Sequence, residues 1–231
     1  MPMIRSLNQD FFKKWSSEMA YVLGFFAADG SMLRNGRGAH FIEFTSTDRV
    51  LIEHVQRVVG SGHLIKSRER GGRCKTAFRL QIGSKNWFED LSKLGFTQHK
   101  SNELAFPEMP PEYFRDFVRG YFDGDGCVYF KSHFAKDRNK ERWVFQTLFT
   151  SGSRVFLEKL LSEVRVYGVQ GGRIATKSKS GYDLVFSWKD SLALYRLMYH
   201  TAKVADLYLP RKREKLEKAI QVLGLDNQVR S

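Results

Sequence analysis

Val22-Leu23-Gly24-Phe25-Phe26-Ala27-Ala28-Asp29-Gly30 and Val118-Arg119-Gly120-Tyr121-Phe122-Asp123-Gly124-Asp125-Gly126 are two versions of one pattern. Each is a helix-like run that closes on a small residue, an aspartate and a glycine. Small residues stand four apart, Gly24 with Ala28 and Gly120 with Gly124, so each predicted helix carries a stripe almost free of side chains. Two such stripes let helices approach backbone to backbone. The glycine after each aspartate suits a left-handed helix cap. If the stripes meet, Asp29 and Asp125 come side by side at two helix ends. The helix dipole and mutual repulsion both disfavour charge there, and a shared divalent cation relieves both, since hard cations take carboxylate oxygens.

At these residues the chain resembles the LAGLIDADG homing endonucleases, in the single-chain form with two motifs. Ordinary buried helices ending at glycine do not explain a repeated terminal aspartate. The eighth motif position, the metal-binding acid in that family, is intact in both copies. The sixth, acidic in many members, is Asp123 in the second copy and Ala27 in the first. The resemblance covers nearly the whole chain. It implies an α+β fold of two pseudo-symmetric αββαββα halves forming a saddle, with the motif helices packed at the central interface and antiparallel sheets facing DNA. It also implies an intron-encoded type of meganuclease, a monomeric hydrolase that cuts both strands of a long double-stranded DNA site. The metal would normally be Mg2+; Mn2+ or Ca2+ would occupy the same sites, Ca2+ without efficient cleavage. Asp29 and Asp125 are the expected catalytic metal ligands, with the main-chain carbonyls of Ala28 and Gly124 completing coordination. A lysine near each centre is usual in the family, and Lys100 and Lys212 fit by position.

The composition agrees with a packed, nucleic-acid-binding protein. At 231 residues, 42% hydrophobic and 14% aromatic, the chain suffices for one large domain or two smaller ones. The expected division is an N-terminal half, 1–101, an extended Pro-rich linker, 102–111, and a C-terminal half, 112–231. A net charge of +13 points to a polyanionic partner. No apolar run is long enough to span a bilayer, and Met1 to Asp10 lacks the apolar core of a secretory signal. Cys74 and Cys127 make neither a disulfide scaffold nor a zinc site, and the histidines show no metal-ligand spacing. An intracellular, DNA-associated protein is expected, in a prokaryotic cytoplasm or an organelle matrix, without membrane contact or an obligate protein partner.

Periodicity predicts the same order of elements twice. In the first half, a helix from Gln9 to Ala28 precedes a hairpin of Ser31–Arg34 and His40–Ser46. A helix from Asp48 to Val59, a hairpin of His63–Glu69 and Cys74–Ile82, and a helix from Lys85 to Leu94 follow. In the second half the helix is Pro111–Gly124 and the hairpin Val128–Phe134 with Arg142–Thr150. Then come a helix from Ser153 to Tyr167, a hairpin of Gly172–Ser178 and Tyr182–Trp188, a helix from Asp190 to Tyr199, and a last helix from Pro210 to Leu223. Letters repeat as well: Phe44-Thr45-Ser46 with Phe149-Thr150-Ser151, and Phe78-Arg79-Leu80 with Tyr182-Asp183-Leu184.

Strand alternation sorts the charge. Lys66, Arg68 and Arg70 share one face, Lys75, Arg79 and Gln81 another, and Arg173, Lys177 and Lys179 a third; Lys131 lies on the longer hairpin. Such ribbons suit a major groove, where Arg and Lys reach guanine and Gln reaches adenine. The hairpin tips, with Arg34, Arg37, Arg70, Arg73, Lys136, Arg138, Lys140, Lys177 and Lys179, suit phosphate contacts. Glu43 is either a water-orienting group facing the active centre or a groove-facing or solvent-facing carboxylate. The competing functions are an intron RNA maturase and a cleavage-inactive DNA-binding regulator on the same fold.

Overall fold

A computed structural model of the chain describes residues 5–69, 75–98, 104–177, 181–200 and 207–225. It divides into two units, residues 1–124 with 206–208 and residues 125–205 with 209–231.

The first unit begins with α1 (Ser17–Asp29), entered through Ser16, whose hydroxyl accepts from the Met19 amide. The helix starts later than the sequence pattern predicts. Phe11 and Phe12 mimic a helical apolar repeat, but they lie in a turn region and pack edge-on and tilted against Trp87. After α1 come β1 (Gly30–Arg34), β2 (His40–Ser46), α2 (Arg49–Val58), β3 (Ile65–Arg68), β4 (Ala77–Gly83) and α3 (Lys85–Lys93). The four strands form an antiparallel sheet in the order β1-β2-β4-β3. Its second hairpin is shorter than predicted. The first hairpin turns through Asn35, whose side chain accepts from the Arg37 and Ala39 amides, with Gly38 at φ +80°.

The predicted second motif helix opens as a single 3-10 turn, Pro111–Tyr113, and becomes α4 (Phe114–Asp125). Its residues up to Gly124 belong to the first unit. The core of that unit is α1 against the inner sheet face. Phe25 and Phe26 meet Phe44, and Phe26 meets Phe96. Every residue of α1 from Met19 to Ala27 is buried, with about 1.5–3 kcal/mol gained per large apolar side chain removed from water.

The second unit repeats the pattern with longer first strands: β5 (Gly126–Ala135), a 3-10 turn (Lys136–Arg138), β6 (Lys140–Ser151), α5 (Arg154–Val166), β7 (Arg173–Thr176), β8 (Tyr182–Phe186), α6 (Trp188–Tyr199) and α7 (Pro210–Val222). Strand order is β5-β6-β8-β7, again antiparallel. Asn139, at φ +44°, closes the β5–β6 tip. Phe149, Leu184 and Phe186 meet the buried faces of α5 and α6 to make the core.

The expected left-handed cap after each motif helix is not there. Gly30 has φ −89° and ψ 161° and is the first residue of β1, and Gly126 is the first residue of β5. The chain passes from helix to strand with no intervening turn. Glycine at position 30 answers a different need: a Cβ there would collide with the ring of Phe26.

Candidate active site and nucleic-acid face

The two stripes meet. A Cβ on Gly24 would overlap the carbonyl oxygen of Phe117, and a Cβ on Gly120 would overlap the carbonyl oxygen of Tyr21. The contact is reciprocal and backbone to backbone, as the four-residue spacing demands. One turn further on, a Cβ on Gly124 would overlap that of Ala28 and stand 3.3 Å from Oδ2 of Asp29. The bare α-carbon of Gly124 thus leaves the space that the Asp29 carboxylate reaches into, beside the last turn of α4 and one residue ahead of Asp125 in the chain. Asp29 and Asp125 are both half-buried.

Charge and hydrogen bonding around these helices come from buried polar pairs. Tyr21 donates to Asp123 Oδ2 at 2.7 Å. Arg119, fully buried, donates through Nη2 to Asp116 Oδ1 at 2.6 Å and through Nε to the Leu207 carbonyl at 2.7 Å. Its guanidinium also lies 5.7 Å from the centre of the Tyr21 ring. Arg119 thereby fixes the segment at Leu207 to α4.

The sheet of the first unit has one apolar face, with Met32, Ile42, Phe44, Leu80 and Ile82, and one polar face. Register sets the polar face: Glu43 stands across from Gln81, Thr45 across from Arg79, Arg79 across from Lys66, and Ala77 across from Arg68. A shallow cleft on this face is lined by Glu43, Thr45, Lys66, Arg68 and Arg79. In the second unit the corresponding face carries Lys131, Arg142, Gln146, Arg173 and Lys177. Tyr129 Oη and His133 Nε2 lie 2.7 Å apart there, and the Lys131 ammonium is 5.9 Å from the Tyr129 ring centre.

Residues 16–92 match the family described as a LAGLIDADG-like domain. The structure is similar to I-LtrWI, a LAGLIDADG homing endonuclease solved bound to target DNA. The TM-score is 0.59 at 12% identity, over 96% of this chain and 93% of that one. It is also similar to the meganuclease I-SmaMI, solved bound to uncleavable DNA, with a TM-score of 0.61 at 14% identity over 94% and 92% of the two chains. The fold is that of the LAGLIDADG homing endonucleases. A curated relative, the DNA-directed RNA polymerase subunit Rpo1C of Methanocaldococcus jannaschii, is 22% identical over 92% of this chain. The chain spans only 22% of that relative's length.

The first motif copy lies within the matched residues and the second lies beyond them. The sixth motif position now has a physical reading. Tyr21 and Ala27 stand three residues either side of Gly24, and Phe117 and Asp123 stand three either side of Gly120. The hydroxyl–carboxyl pair Tyr21–Asp123 therefore has a wholly apolar counterpart in position, Phe117 and Ala27. The carboxyl group of Asp123 bonds a tyrosine within the helix packing, so the missing acid at Ala27 matches a missing hydroxyl at Phe117.

Of the predicted lysines, Lys212 sits in the first turn of α7 and is buried, with 5% exposure, so it is not a solvated surface charge. Lys100 lies outside the described residues, as do Arg70, Arg73 and Lys179. Arg34, Arg37, Lys66, Arg68, Lys75, Lys131, Lys136, Lys140, Arg173 and Lys177 are exposed, while Arg79 and Gln81 are half-buried. Arg138 ends the 3-10 turn at the β5–β6 tip.

Two acidic residues of the polar faces stand out beyond the basic set. Glu43 accepts from Arg79 and Gln81. Asp183 accepts from Thr150 Oγ1 at 2.6 Å and pairs with Lys177 at 3.5 Å. The repeat of Phe78-Arg79-Leu80 in Tyr182-Asp183-Leu184 already places Asp183 where the first unit has Arg79. The two polar faces thus differ in charge at an equivalent position.

No helix among the described residues is long and apolar enough to cross a membrane. Nor does any group of three or more His, Cys, Asp and Glu side chains converge among them. Carboxylate and main-chain oxygens, the groups that Asp29, Asp125, Ala28 and Gly124 carry, are the donor types that hard divalent cations take.

Proposed function

We propose that this chain is a divalent-metal-dependent endonuclease that acts as a monomer and hydrolyses both strands of a long double-stranded DNA site. One observation carries the reading: the Asp29 carboxylate lies against the bare α-carbon of Gly124, the residue that precedes Asp125. When bound through Asp29 and Asp125, with the Ala28 and Gly124 carbonyls, Mg2+ would supply charge at the scissile phosphate and lower the pKa of its water. Lys212, taken out of water by α7, and Lys100 would supply positive charge near the reacting phosphates. The basic polar faces of the two sheets would hold the duplex. Lys66, Arg68, Lys75, Arg79, Gln81, Lys131, Arg173 and Lys177 would read or neutralise it from the strands. Arg34, Arg37, Arg70, Arg73, Lys136, Arg138, Lys140 and Lys179 would meet phosphates at the tips.

The test is incubation of the protein with a pool of duplex DNA carrying randomised sequence, with Mg2+ or with EDTA, followed by sequencing of the cut ends. The expected result is Mg2+-dependent double-strand breaks at one family of sequences. Breaks in EDTA, or breaks without sequence preference, would overturn the proposal.

A further inference from the structure

We propose that Glu43 is a positioning residue for base reading, which presents Gln81 to adenine and Arg79 to guanine in the major groove. The inference rests on the DNA-binding reading above and names which residues of the first unit carry its sequence preference.

The geometry is local. Gln81 Nε2 donates to Glu43 Oε1 at 2.5 Å, and Arg79 Nη1 donates to the same oxygen at 3.1 Å. Glu43 is directly across from Gln81 in the β2–β4 register, and Thr45, the next residue on that face, is across from Arg79. All three side chains therefore project from one face. The Glu43 side chain is only 12% exposed, against 42% for Arg79. The carboxylate lies low on the sheet and the guanidinium rises above it.

An ionised carboxylate only accepts hydrogen bonds, so Glu43 fixes which end of the Gln81 amide turns inward. The NH2 group must face Glu43. One N–H and the carbonyl oxygen of Gln81 then remain for a partner, and that donor–acceptor pair matches N7 and N6 of adenine. Arg79 commits one of its five N–H groups and keeps enough of its fork for O6 and N7 of guanine. A glutamine or arginine free on a strand would lose its rotamer freedom only on binding, and that ordering opposes association. Here that ordering precedes binding. The negative charge also weakens indiscriminate attraction between this patch and phosphate, so Glu43 acts against wrong sites as well as for right ones.

The experiment uses the full chain and selection from randomised duplex DNA, reading base preference position by position. Wild type, Glu43→Gln, Glu43→Ala, Arg79→Ala, Gln81→Ala and Glu43→Ala/Gln81→Ala are compared. Gln81→Ala is expected to flatten an adenine preference, and Arg79→Ala a guanine preference, at nearby base pairs. Both Glu43 variants are expected to flatten those same positions, by roughly tenfold, while binding unrelated duplex more tightly than wild type. At the Gln81 base pair the double variant should lose no more than Gln81→Ala alone, because the two residues act as one unit. The proposal is overturned if both Glu43 variants keep the wild-type preference, or if they weaken every position and unrelated DNA equally, which is the mark of a damaged fold. It is also overturned if the double variant loses the sum of the single effects. Wild type without any base preference would instead remove the DNA-reading function itself, and this proposal with it.

Discussion

The Tyr21 hydroxyl donates to Oδ2 of Asp123 at 2.7 Å, with both side chains buried. This bond joins α1 to α4 next to the glycine contacts. A hydrogen bond to a buried carboxyl group contributes about 1.5–3 kcal/mol when the group is ionised. Tyr21→Phe is therefore expected to destabilise the protein by about 2 kcal/mol in urea unfolding. Tyr21→Phe/Asp123→Ala copies the residues found at the counterpart positions, Phe117 and Ala27. It should recover part of that loss, because no buried carboxyl group is then left short of a partner. A double variant less stable than the sum of its single variants would contradict this reading.

The glycine contacts should be among the least tolerant positions in the chain. Gly24→Ala and Gly120→Ala each push a methyl group onto the opposing main chain, and main chain cannot rotate aside as a side chain can. A loss of about 3 kcal/mol or more is expected for each. Gly36 has open space around its Cβ position and a φ outside the left-handed region, so Gly36→Ala should melt within about 1 °C of wild type. Equal melting temperatures for Gly24→Ala and Gly36→Ala would show that the backbone contact is absent in solution.

The Arg119–Asp116 pair is fully withdrawn from water, at 1% and 7% side-chain exposure. Removal of one partner takes a counter-charge from a buried group, which costs about 3–5 kcal/mol where buried pairs are broken. Asp116→Asn and Arg119→Met should both be strongly destabilised. Arg119→Met should additionally loosen the segment at Leu207, whose carbonyl it bonds, and faster amide exchange around that segment would report this.

Acid should weaken the first unit through two histidines. Burial lowers the pKa of His54, assisted by the charge of Arg57, and burial with Arg5 lowers that of His63, both from an ordinary value of 6.5. A lowered histidine pKa means that the unfolded chain takes up the proton first. Stability is then whole above 6.5 and is lost as pH falls through that value toward the lowered folded ones. The melting temperature should fall between pH 7 and 5, and His54→Gln should flatten part of that slope. A slope unchanged in that variant would assign the acid sensitivity elsewhere.

The central helix packing was legible in the sequence because it depends on absent side chains. Gly24, Ala28, Gly120 and Gly124 announce a close approach whatever surrounds them, and the structure brings them together. The helix start does not show in the sequence, because Phe11 and Phe12 share a helical period with α1 but are used in a turn against Trp87. The glycine after each motif suggests a cap because helix ends commonly use one. Here the next residue is already in a strand, and at Gly30 the lack of a side chain makes room for Phe26. Alternation placed Arg79 and Gln81 on one face. Their tie to Glu43 needs the register between two strands far apart in sequence, which the letters do not contain. The burial of Lys212 was hidden for a similar reason, since Leu209-Pro210-Arg211-Lys212 does not say which face of α7 meets the core.

The most direct measurement of the metal-dependent endonuclease proposal is cleavage and binding of the selected duplex by wild type, Asp29→Asn and Asp125→Asn in Mg2+. Asparagine keeps the shape of each side chain and removes its charge. Both variants are expected to bind the duplex with unaltered base preference, to melt no lower than wild type in EDTA, and to produce no double-strand breaks. Double-strand cutting at the wild-type rate by either variant, or loss of cutting caused by melting far below wild type, would contradict the assignment of these carboxylates to catalysis.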